Sequence, residues 1–335
     1  MNLGATHAAP LLTRLRAHPQ GWISGQSLCA DLHCSRNAIW KQVEVLRRFG
    51  YTIEARPRLG YCLTGAPEAP IPGEVESRLT TRVLGRELAW LPSVDSTNRW
   101  LAEKADHGAR EGLVVTADTQ TAGRGRLDRL WHSPPALNLY LSILLRPAVP
   151  LDRAASLSLL LGLALRRAIR ALAPELDPRL KWPNDIWIQG RKVCGILCDM
   201  RAEPDRIHHV VAGIGLNVNT TAGDFPEKLR PTATSLRLAA GRSFLRAGVL
   251  ATLLNELEPA YQEWSAHGLA PFLDELNKAD LLKGRLVTLT QGTHLLASRA
   301  NGIAPDGALL LQTPAGITSV YSGDVSIRSI SGLRN

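Results

Sequence analysis

The densest group of chemically active side chains lies between Thr119 and Trp131, which reads Thr-Gln-Thr-Ala-Gly-Arg-Gly-Arg-Leu-Asp-Arg-Leu-Trp. Gly123 and Gly125 allow a tight turn of the backbone, and three arginines fall within six residues of this segment. Fixed positive charge on such a turn is suited to binding an anion. On composition alone, a solvated basic turn explains the segment equally well.

Two common nucleotide-binding patterns do not fit the chain. A dinucleotide-binding loop needs a third glycine where Asp128 stands, and the segment Gly213-Ile-Gly215-Leu-Asn-Val fails the same pattern at its last position. The glycine-rich pattern of P-loop enzymes occurs nowhere in the sequence. A Rossmann dehydrogenase and a P-loop enzyme are therefore both disfavoured.

A second polar group follows in the segment Leu180-Lys-Trp-Pro-Asn-Asp-Ile186. Pro183 fixes a turn beside a bulky indole, which we expect to aim Asn184 and Asp185 at one spot. Lys192 then opens a buried strand. A lysine there is often an edge residue with its ammonium in water, but beside an arginine loop it can hold a phosphate or a carboxylate.

The elements that position these residues alternate between strand and helix from about residue 74 to residue 280. Continuous apolar or β-branched runs predict strands at 112–117, 139–145, 193–199 and 208–219. Helical patterns cover 97–105, 154–173 and 246–265. This mixture predicts an α/β or α+β domain built on one sheet.

The first 65 residues carry 8 basic and 3 acidic side chains, a net charge of +5 out of +9 for the chain. Two helix signals, at 25–32 and 35–49, are separated by a tight turn and followed by a hairpin signal, which are the proportions of a winged helix-turn-helix. The residues that we expect to face DNA are Ser35, Arg36, Asn37, Trp40 and Lys41 on the second helix and Arg56 and Arg58 on the wing. A small helical interaction module with solvated charges is the alternative.

Four segments follow from these patterns. A DNA-binding domain over 1–65 ends at a proline- and glycine-rich linker over 66–73, and a catalytic domain covers 74–282. Five short predicted strands, separated by segments that contain glycine, predict a small barrel over 283–335. The five cysteines lack zinc-site spacing and are expected to be buried and reduced, and the most apolar run, 154–165, is too short to cross a bilayer. We therefore expect a cytoplasmic protein without membrane contact.

Six motifs in order resemble those of the bacterial bifunctional biotin-protein ligase, which is also the biotin operon repressor. They are Ser93-Val-Asp-Ser-Thr-Asn98, the Gly-Arg-Gly-Arg loop, Lys-Trp-Pro-Asn-Asp with Lys192 downstream, Gly213-Ile-Gly-Leu-Asn-Val-Asn219, Ala233-Thr-Ser-Leu236 and Ser322-Gly-Asp-Val-Ser-Ile-Arg328. The resemblance implies an α+β protein with an N-terminal winged helix-turn-helix, a central mixed-sheet domain like those of biotin and lipoate ligases, and a C-terminal SH3-like β-barrel.

The activity implied by the resemblance is that of a biotin-[acetyl-CoA-carboxylase] ligase. Such enzymes use ATP and Mg²⁺ to convert biotin to biotinyl-5′-AMP, and they transfer biotin to a lysine of the biotin carboxyl carrier protein of acetyl-CoA carboxylase. The adenylate is also the corepressor, which favours a homodimer on operator DNA. A lipoate-protein ligase, or a biotin-sensing transcription factor with little ligase activity, are the rival interpretations.

The resemblance also implies roles for single residues. Biotin is expected to contact Ser96, Thr97, Asn98, Gln120, Arg124, Gly125, Arg126 and Lys192. ATP is expected to contact Arg124, Arg126, Trp131, Asn184, Asp185, Lys192 and Asn217, and the catalytic residues are Lys192, Arg124 and Arg126. No side chain is assigned as a resident metal ligand. Packing, turn capping or a strand end explain Trp131, Asp185 and Asn217 equally well.

Two positions depart from the family pattern. The loop has Asp128 in place of a third glycine, which is expected to slow its closure or to pair with Arg129. The wing reads Pro57-Arg-Leu-Gly60 where a further glycine is common, so the preferred operator is expected to differ.

Overall fold

The computed structural model describes residues 8–19, 21–291 and 294–327, so the ends of the predicted first and last segments, including Arg328, lie outside the described residues. The N-terminal part consists of α1 (Ala9–Arg16), α2 (Gly25–Asp31), α3 (Arg36–Arg48), β1 (Thr52–Arg56) and β2 (Gly60–Gly65). Ile39, Val43 and Leu46 are the buried stripe of α3. The predicted helix, turn, helix and hairpin are confirmed in this order.

The hairpin is tied to the rest of this domain through its glycine. The main chain of Tyr61 exchanges two hydrogen bonds of 2.9 Å with Ile23, directly after Gly60. Gly60 has φ +102°, and a Cβ atom on it would lie 1.9 Å from the carbonyl oxygen of Ile23. Only glycine fits this close approach, which explains why the wing keeps a glycine here.

The central part is a mixed seven-stranded sheet with strand order β3-β4-β5-β9-β8-β7-β6. The pair β3–β4 is parallel, and the remaining pairs are antiparallel. The strands are β3 (Leu88–Leu91), β4 (Val114–Ala117), β5 (Leu139–Leu145), β6 (Arg179–Lys181), β7 (Asp185–Ile188), β8 (Arg191–Glu203) and β9 (Arg206–Leu216). The four strands predicted from apolar runs are confirmed, and β3, β6 and β7 were missed because they are short.

Helices cover both faces of this sheet. They are α4 (Pro72–Glu76), α5 (Thr97–Asp106), α6 (Leu151–Ala154), α7 (Leu157–Leu172), α8 (Leu236–Ala240), α9 (Arg246–His267) and α10 (Leu273–Ala279). α7 is apolar almost all round and packs between the sheet and α9 in one large core. α5 covers part of the opposite face, where Leu101 packs against Val115 and Val211 in a separate cluster. Helix α4 begins at Pro72, within the stretch predicted as a linker, because proline is tolerated in the first turn of a helix.

The C-terminal part is a five-stranded antiparallel sheet with order β13-β12-β11-β10-β14. Its strands are β10 (Leu286–Gln291), β11 (His294–Ile303), β12 (Leu309–Thr313), β13 (Gly316–Val320) and β14 (Asp324–Ile327), so all five predicted strands are confirmed. The indole Nε1 of Trp182 donates to the carbonyl of Gly307 at 3.0 Å, which joins this sheet to the central part. Among the described residues, no helix is both long and apolar enough to span a membrane.

Candidate active site

One cavity of about 410 Å³ lies where the Gly-Arg loop, the start of α5, the central strands and the start of β14 meet. The residues predicted to bind biotin or ATP all line it, and they are Ser96, Thr97, Asn98, Gln120, Arg124, Gly125, Arg126, Trp131, Asn184, Asp185, Lys192 and Asn217. The structure thus brings together residues that are more than 100 positions apart in the sequence.

A hydrogen-bonded group of buried side chains forms the inner end of the cavity at the start of α5. Gln120 Oε1 accepts from the main-chain N–H of Thr97 at 2.9 Å and lies 3.1 Å from its hydroxyl. Ser142, fully buried in β5, donates to Asn98 Oδ1 at 2.6 Å and lies 2.8 Å from Thr97 Oγ1. These groups are fixed before any ligand arrives, so this end can match a polar head group without rearranging.

The amide of Asn98 is held in one orientation. Its nitrogen donates to Asp199 Oδ2 at 2.8 Å and to the carbonyl of Leu197 at 3.2 Å, while its oxygen accepts from Ser142. That oxygen occupies the place of a missing side chain, since a Cβ atom on Gly213 would lie 2.1 Å from it. The first glycine of the Gly-Ile-Gly segment is therefore needed for Asn98.

The second glycine of that segment makes room for an indole. A Cβ atom on Gly215 would lie 2.5 Å from Trp131, and one on Gly195 of the neighbouring strand would lie 3.0 Å from it. Gly195 and Gly215 are paired across β8 and β9. The indole of Trp131 thus packs against these two glycines and lines the cavity, and it does not belong to the apolar core.

The Gly-Arg loop is a narrow hairpin. The N–H of Gly125 donates to the carbonyl of Arg129 at 2.7 Å, and the N–H of Trp131 donates to that of Gly123 at 2.9 Å. At its tip, Leu127 and Asp128 both have positive φ, of 56° and 55°. Aspartate tolerates this left-handed region better than most residues do, which explains how it replaces glycine at 128.

The three arginines of this loop reach four different partners. Arg126 donates to Asn184 Oδ1 at 3.3 Å and to the carbonyl of Gly323 at 3.2 Å. Arg129 pairs with Asp324 at 2.5 Å rather than with Asp128 as predicted. The guanidinium of Arg124 lies 3.8 Å from the Asp199 carboxylate. The loop is therefore held against both the central sheet and the C-terminal sheet by charged and polar contacts.

Lys192 is fixed by its main chain and by its ammonium group. Its N–H donates to Thr232, and its carbonyl accepts from Thr234, both at 2.8 Å. Its Nζ lies 2.7 Å from Asp185 Oδ1 and 5.4 Å from the centre of the Trp131 ring. The Ala233-Thr-Ser-Leu motif thus serves to hold the lysine strand in place.

A second lysine in the cavity was not assigned a role from the sequence. Lys181 Nζ lies 4.9 Å from the centre of the Trp187 ring, and burial lowers the pKa of Lys181 against the opposing pull of Asp185 and Asp324. Burial by itself would raise the pKa of Asp324, but the hydrogen bond and charge of Arg129 hold it below the ordinary value. Lys181 stands in the Lys-Trp-Pro-Asn-Asp motif, so the motif itself was the available signal.

Asn217 lines the cavity while its side chain is occupied elsewhere. Its amide nitrogen donates to the carbonyl of Thr234 at 3.0 Å, and its main-chain N–H donates to Val193. The Asn217 side chain therefore joins the end of β9 to the 232–235 segment, which agrees with the alternative that it serves a strand end. It presents only part of its surface to the cavity.

The residues predicted to face DNA lie on the exposed side of α3 and on the hairpin. Ser35 caps α3 by accepting from the N–H of Ala38, and Trp40 is 52% exposed. The remaining predicted residues, Arg36, Asn37, Lys41, Arg56 and Arg58, are exposed as well. Arg56 is also engaged within the domain, since its guanidinium pairs with Glu54 at 3.0 Å and lies 4.9 Å from the centre of the Trp22 ring.

Comparison with family models gives three matches along the chain. The biotin/lipoate A/B protein ligase family matches residues 90–217, a helix-turn-helix domain matches residues 9–62, and the biotin protein ligase C-terminal domain matches residues 284–328. The first of these ranges contains every residue predicted to bind biotin or ATP.

Relatives along most of the chain carry both activities in their names. The chain is 40% identical to the bifunctional ligase/repressor BirA of Bacillus subtilis over 91% of its own length and 94% of that protein. It is 33% identical to BirA of Escherichia coli over 91% of this chain and 93% of that one. The solved structure of biotin protein ligase from Aquifex aeolicus in complex with biotin and ATP matches with a TM-score of 0.63 and 32% identity, covering 72% of this chain and 99% of that one. The chain therefore belongs to the biotin/lipoate A/B protein ligase family, within the class of bifunctional ligase/repressors.

Proposed function

We propose that this chain joins biotin to a carrier protein by way of biotinyl-5′-AMP and that the same adenylate controls its binding to operator DNA. The observation that carries the proposal is the convergence on one cavity of buried hydrogen-bonding groups at one end, of Lys192 and Arg126 at the other, and of Arg124, whose guanidinium lies 3.8 Å from Asp199. A polar ring with an anionic tail fits such a cavity. Both the family and its bifunctional relatives support the same activity.

At the inner end, Ser96, Thr97, Asn98 and Gln120 bind the ureido ring of biotin. The ureido N–H and C=O groups are costly to bury unless each finds a hydrogen-bond partner. All four side chains carry polar atoms at this end, and all but Gln120 are less than 10% exposed. Hydrogen bonds between Thr97 and Gln120, and from Asn98 to its neighbours in β5 and β8, orient these three side chains before binding, so little further ordering is needed.

Lys192, Arg124 and Arg126 bring two anions together, with Lys192 and Arg126 at the outer end and Arg124 on the side of Asp199. A carboxylate oxygen of biotin attacks the α-phosphorus of ATP, the bond to the bridging oxygen breaks, and pyrophosphate leaves. Holding a carboxylate about 4 Å from a phosphate costs on the order of 4 kcal/mol at an effective dielectric of 20. The ammonium of Lys192 offsets this repulsion and stabilises the charge that develops on the phosphoryl oxygens. Arg124 and Arg126 close the loop, with Gly125, over the ligand.

ATP is held on the same side of the cavity. Trp131 offers the flat face of its indole to the adenine, Asn217 borders this region, and Asn184 and Asp185 lie beside Lys192. The half-buried Asp185 carboxylate suits Mg²⁺, which prefers oxygen ligands and is usually held by one or two carboxylates together with phosphates. When bound, Mg²⁺ neutralises phosphate charge. In the second step, a lysine amine of the carrier protein attacks the acyl carbon, and AMP leaves.

DNA is bound by the N-terminal domain. Arg36, Asn37, Trp40 and Lys41 enter the groove from the exposed side of α3, Ser35 caps that helix, and Arg56 and Arg58 reach phosphates from the wing. The adenylate favours a homodimer that presents two such domains to a two-fold operator.

The homodimer is supported by an unpaired strand edge. Residues 198–203 of β8 pair with β9, but β7 ends its pairing at Gly195, so within the described part of the chain this half of β8 has one neighbouring strand. An open edge of this kind offers unpaired N–H and C=O groups with which a strand of a second chain can pair. The acceptor carrier protein, from acetyl-CoA carboxylase, competes for the same face.

We also propose the division of the chain into 1–65, 66–73, 74–282 and 283–335, and that it works in the cytoplasm. The three family matches fall within the first, third and fourth of these segments. All five cysteines are free thiols, as is usual where thiols are kept reduced.

A direct assay tests the activity. The chain is incubated with ATP, Mg²⁺ and a biotin carboxyl carrier domain, with biotin in one reaction and lipoate in a second. We expect a mass increase of one biotinyl group on the carrier in the first reaction only. Modification with lipoate alone identifies a lipoate ligase instead, and adenylate-dependent DNA binding without carrier modification identifies a sensor with little ligase activity.

A further inference from the structure

Asp199 lies where the biotin end of the cavity meets the unpaired half of β8. Its carboxylate accepts a hydrogen bond from Asn98 Nδ2 at 2.8 Å and lies 3.8 Å from the Arg124 guanidinium. Neither Asp199 nor Ser142 was assigned a role from the sequence. We propose that Asp199 is a positioning residue that sets the orientation of Asn98 for biotin and links biotin binding to pairing of the β8 edge.

The orientation of Asn98 follows from the chemistry of its two neighbours. The Asp199 carboxylate only accepts hydrogen bonds, so it selects the amide nitrogen, and the carbonyl of Leu197 does the same. Ser142 then meets the amide oxygen. Without Asp199, the amide loses its strongest acceptor, and a buried donor at 6% exposure is left with one weaker partner.

The link to the strand edge follows from where Asp199 lies in β8. Asp199 is paired with Val211 on β9 and belongs to the half of β8 that has this one neighbour among the described residues. It thus joins the first turn of α5, through Asn98, to the edge that the proposed homodimer uses. A shift of this strand on pairing displaces the carboxylate that holds Asn98, and by reciprocity a contact of biotin with Asn98 acts on the strand through the same hydrogen bond.

A second bridge between α5 and the same strand provides a matched control. Arg201, two residues further along β8, pairs with Asp106 at the end of α5. Both side chains are well exposed, at 61% and 44%, so solvent screens this pair and its loss is expected to matter little. Asp199 differs from Arg201 in reaching a buried amide at the cavity.

The inference rests on the proposed function and is tested by calorimetric titration of the full chain with biotin, followed by steady-state kinetics of carrier biotinylation. We expect Asp199→Ala to raise the biotin Kd and KM about 10-fold and to leave kcat within about twofold, since the charge-assisted hydrogen bond to Asn98 is lost while the 3.8 Å pair with Arg124 is half-exposed and screened by solvent. Asp199→Asn keeps an accepting oxygen, so its Kd is expected within about threefold of wild type. Arg201→Ala is expected to match wild type within about twofold.

The link to the edge is measured by sedimentation of wild type, Asp199→Ala and Asp199→Asn with and without biotin and ATP. We expect the ligand-induced strengthening of self-association to fall about 10-fold in Asp199→Ala and to persist in Asp199→Asn, which keeps an acceptor for the Asn98 amide. Equal biotin affinity in wild type and Asp199→Ala overturns the inference but leaves the proposed function intact. The same holds if Asp199→Asn binds biotin as weakly as Asp199→Ala does. A wild-type chain that binds no biotin overturns the proposed function, and the inference with it.

Discussion

The cavity has two walls that are built in different ways. One wall is the scaffold: α5, β5, β8 and β9 hold Thr97, Asn98 and Lys192 through buried hydrogen bonds and strand pairing. The other wall is the Gly-Arg loop, where Leu127 and Leu130 are 69% and 84% exposed and Arg129 is 67% exposed at its side chain. In the proposed function, recognition of the biotin ring depends on groups that cannot move without disturbing the sheet, whereas closure over the ligand depends on a solvated hairpin.

This difference has a physical consequence for sensitivity to mutation. When one partner of a buried polar group is removed, the group stays buried without a hydrogen bond, and the protein is destabilised by the full cost of desolvating that group. An exposed ion pair contributes about 0–1 kcal/mol because water and salt screen it. We therefore expect changes in the scaffold wall to cost much more than changes of similar size in the loop.

The largest effect is expected for Lys192→Ala. The ammonium group of this residue is fixed by Asp185 and by main-chain hydrogen bonds to 232–234, so its loss removes a preorganised charge from the point where the two anions meet. We expect biotin-dependent exchange of pyrophosphate into ATP to slow about 10²–10³-fold. Full adenylation by this variant, with an unchanged melting temperature, contradicts the role given to Lys192.

The next largest effect is expected for a single added methyl group in the scaffold wall. In Gly213→Ala the new Cβ atom lies 2.1 Å from Asn98 Oδ1, so the amide must leave its place. We expect the biotin Kd to rise about 10–100-fold, because one or two hydrogen bonds of a buried polar group are lost. Gly223→Ala is the matched control, since its nearest contact would be 3.9 Å. Equal calorimetric Kd values for the two variants rule out the role of Gly213.

A third prediction concerns Asp280, which lies where β6 meets the C-terminal sheet. Burial raises the pKa of Asp280 to about 6, and its Oδ2 has no hydrogen-bond partner among the described residues. The folded state therefore holds the proton more tightly than the unfolded state, whose ordinary value is 3.8. The contribution of the protonated Asp280 carboxyl to the free energy of unfolding is complete below about pH 4 and is lost as the pH rises through about 6.

Asp280→Asn tests this contribution. At pH 7 the free energy of unfolding is expected to be up to about 3 kcal/mol higher in the variant than in wild type, with the difference shrinking toward pH 4. Denaturant titrations at pH 4, 5, 6 and 7 measure it. A difference that is constant across these values shows that Asp280 does not titrate as described.

The smallest effect is expected at the tip of the loop. Asp128 has φ +55°, a conformation that costs an ordinary residue about 1–2 kcal/mol and that glycine adopts freely. Asp128→Gly removes this conformational cost, but glycine also has more conformational freedom to lose when the loop closes. The two effects oppose each other, so the biotin Kd is expected to change by less than about threefold. A change above 10-fold means that the loop tip, and not the scaffold, governs affinity.

Much of the fold was predictable because its signals are local. The helices predicted at 25–32 and 35–49, the strand 139–145 and the five C-terminal strands follow from helix signals and apolar runs, and the structure confirms them. β6 and β7 have three and four residues, too few for a periodic pattern, and were missed. The start of α4 at Pro72 was read as linker, since proline signals a break as well as a first turn.

The site was predictable as a set of residues but not as a set of contacts. Motif resemblance predicted twelve residues as contacts of biotin or ATP, and all of them line the cavity, yet it gave no sign that Ser142 and Asp199 orient Asn98. Serine in an apolar strand and aspartate near the end of another carry no local signal. Their role exists only because strand pairing brings Gly213 opposite Leu197, which opens the space that Asn98 fills.

The most direct test of the central claim is a single-turnover incubation of the wild-type chain with biotin, ATP and Mg²⁺ in the absence of any acceptor. Native mass spectrometry of the product measures what the chain retains. We expect one biotinyl-5′-AMP per chain, formed at least about 10²-fold faster than by Lys192→Ala. A wild-type chain that holds biotin and ATP together without forming the adenylate contradicts the account.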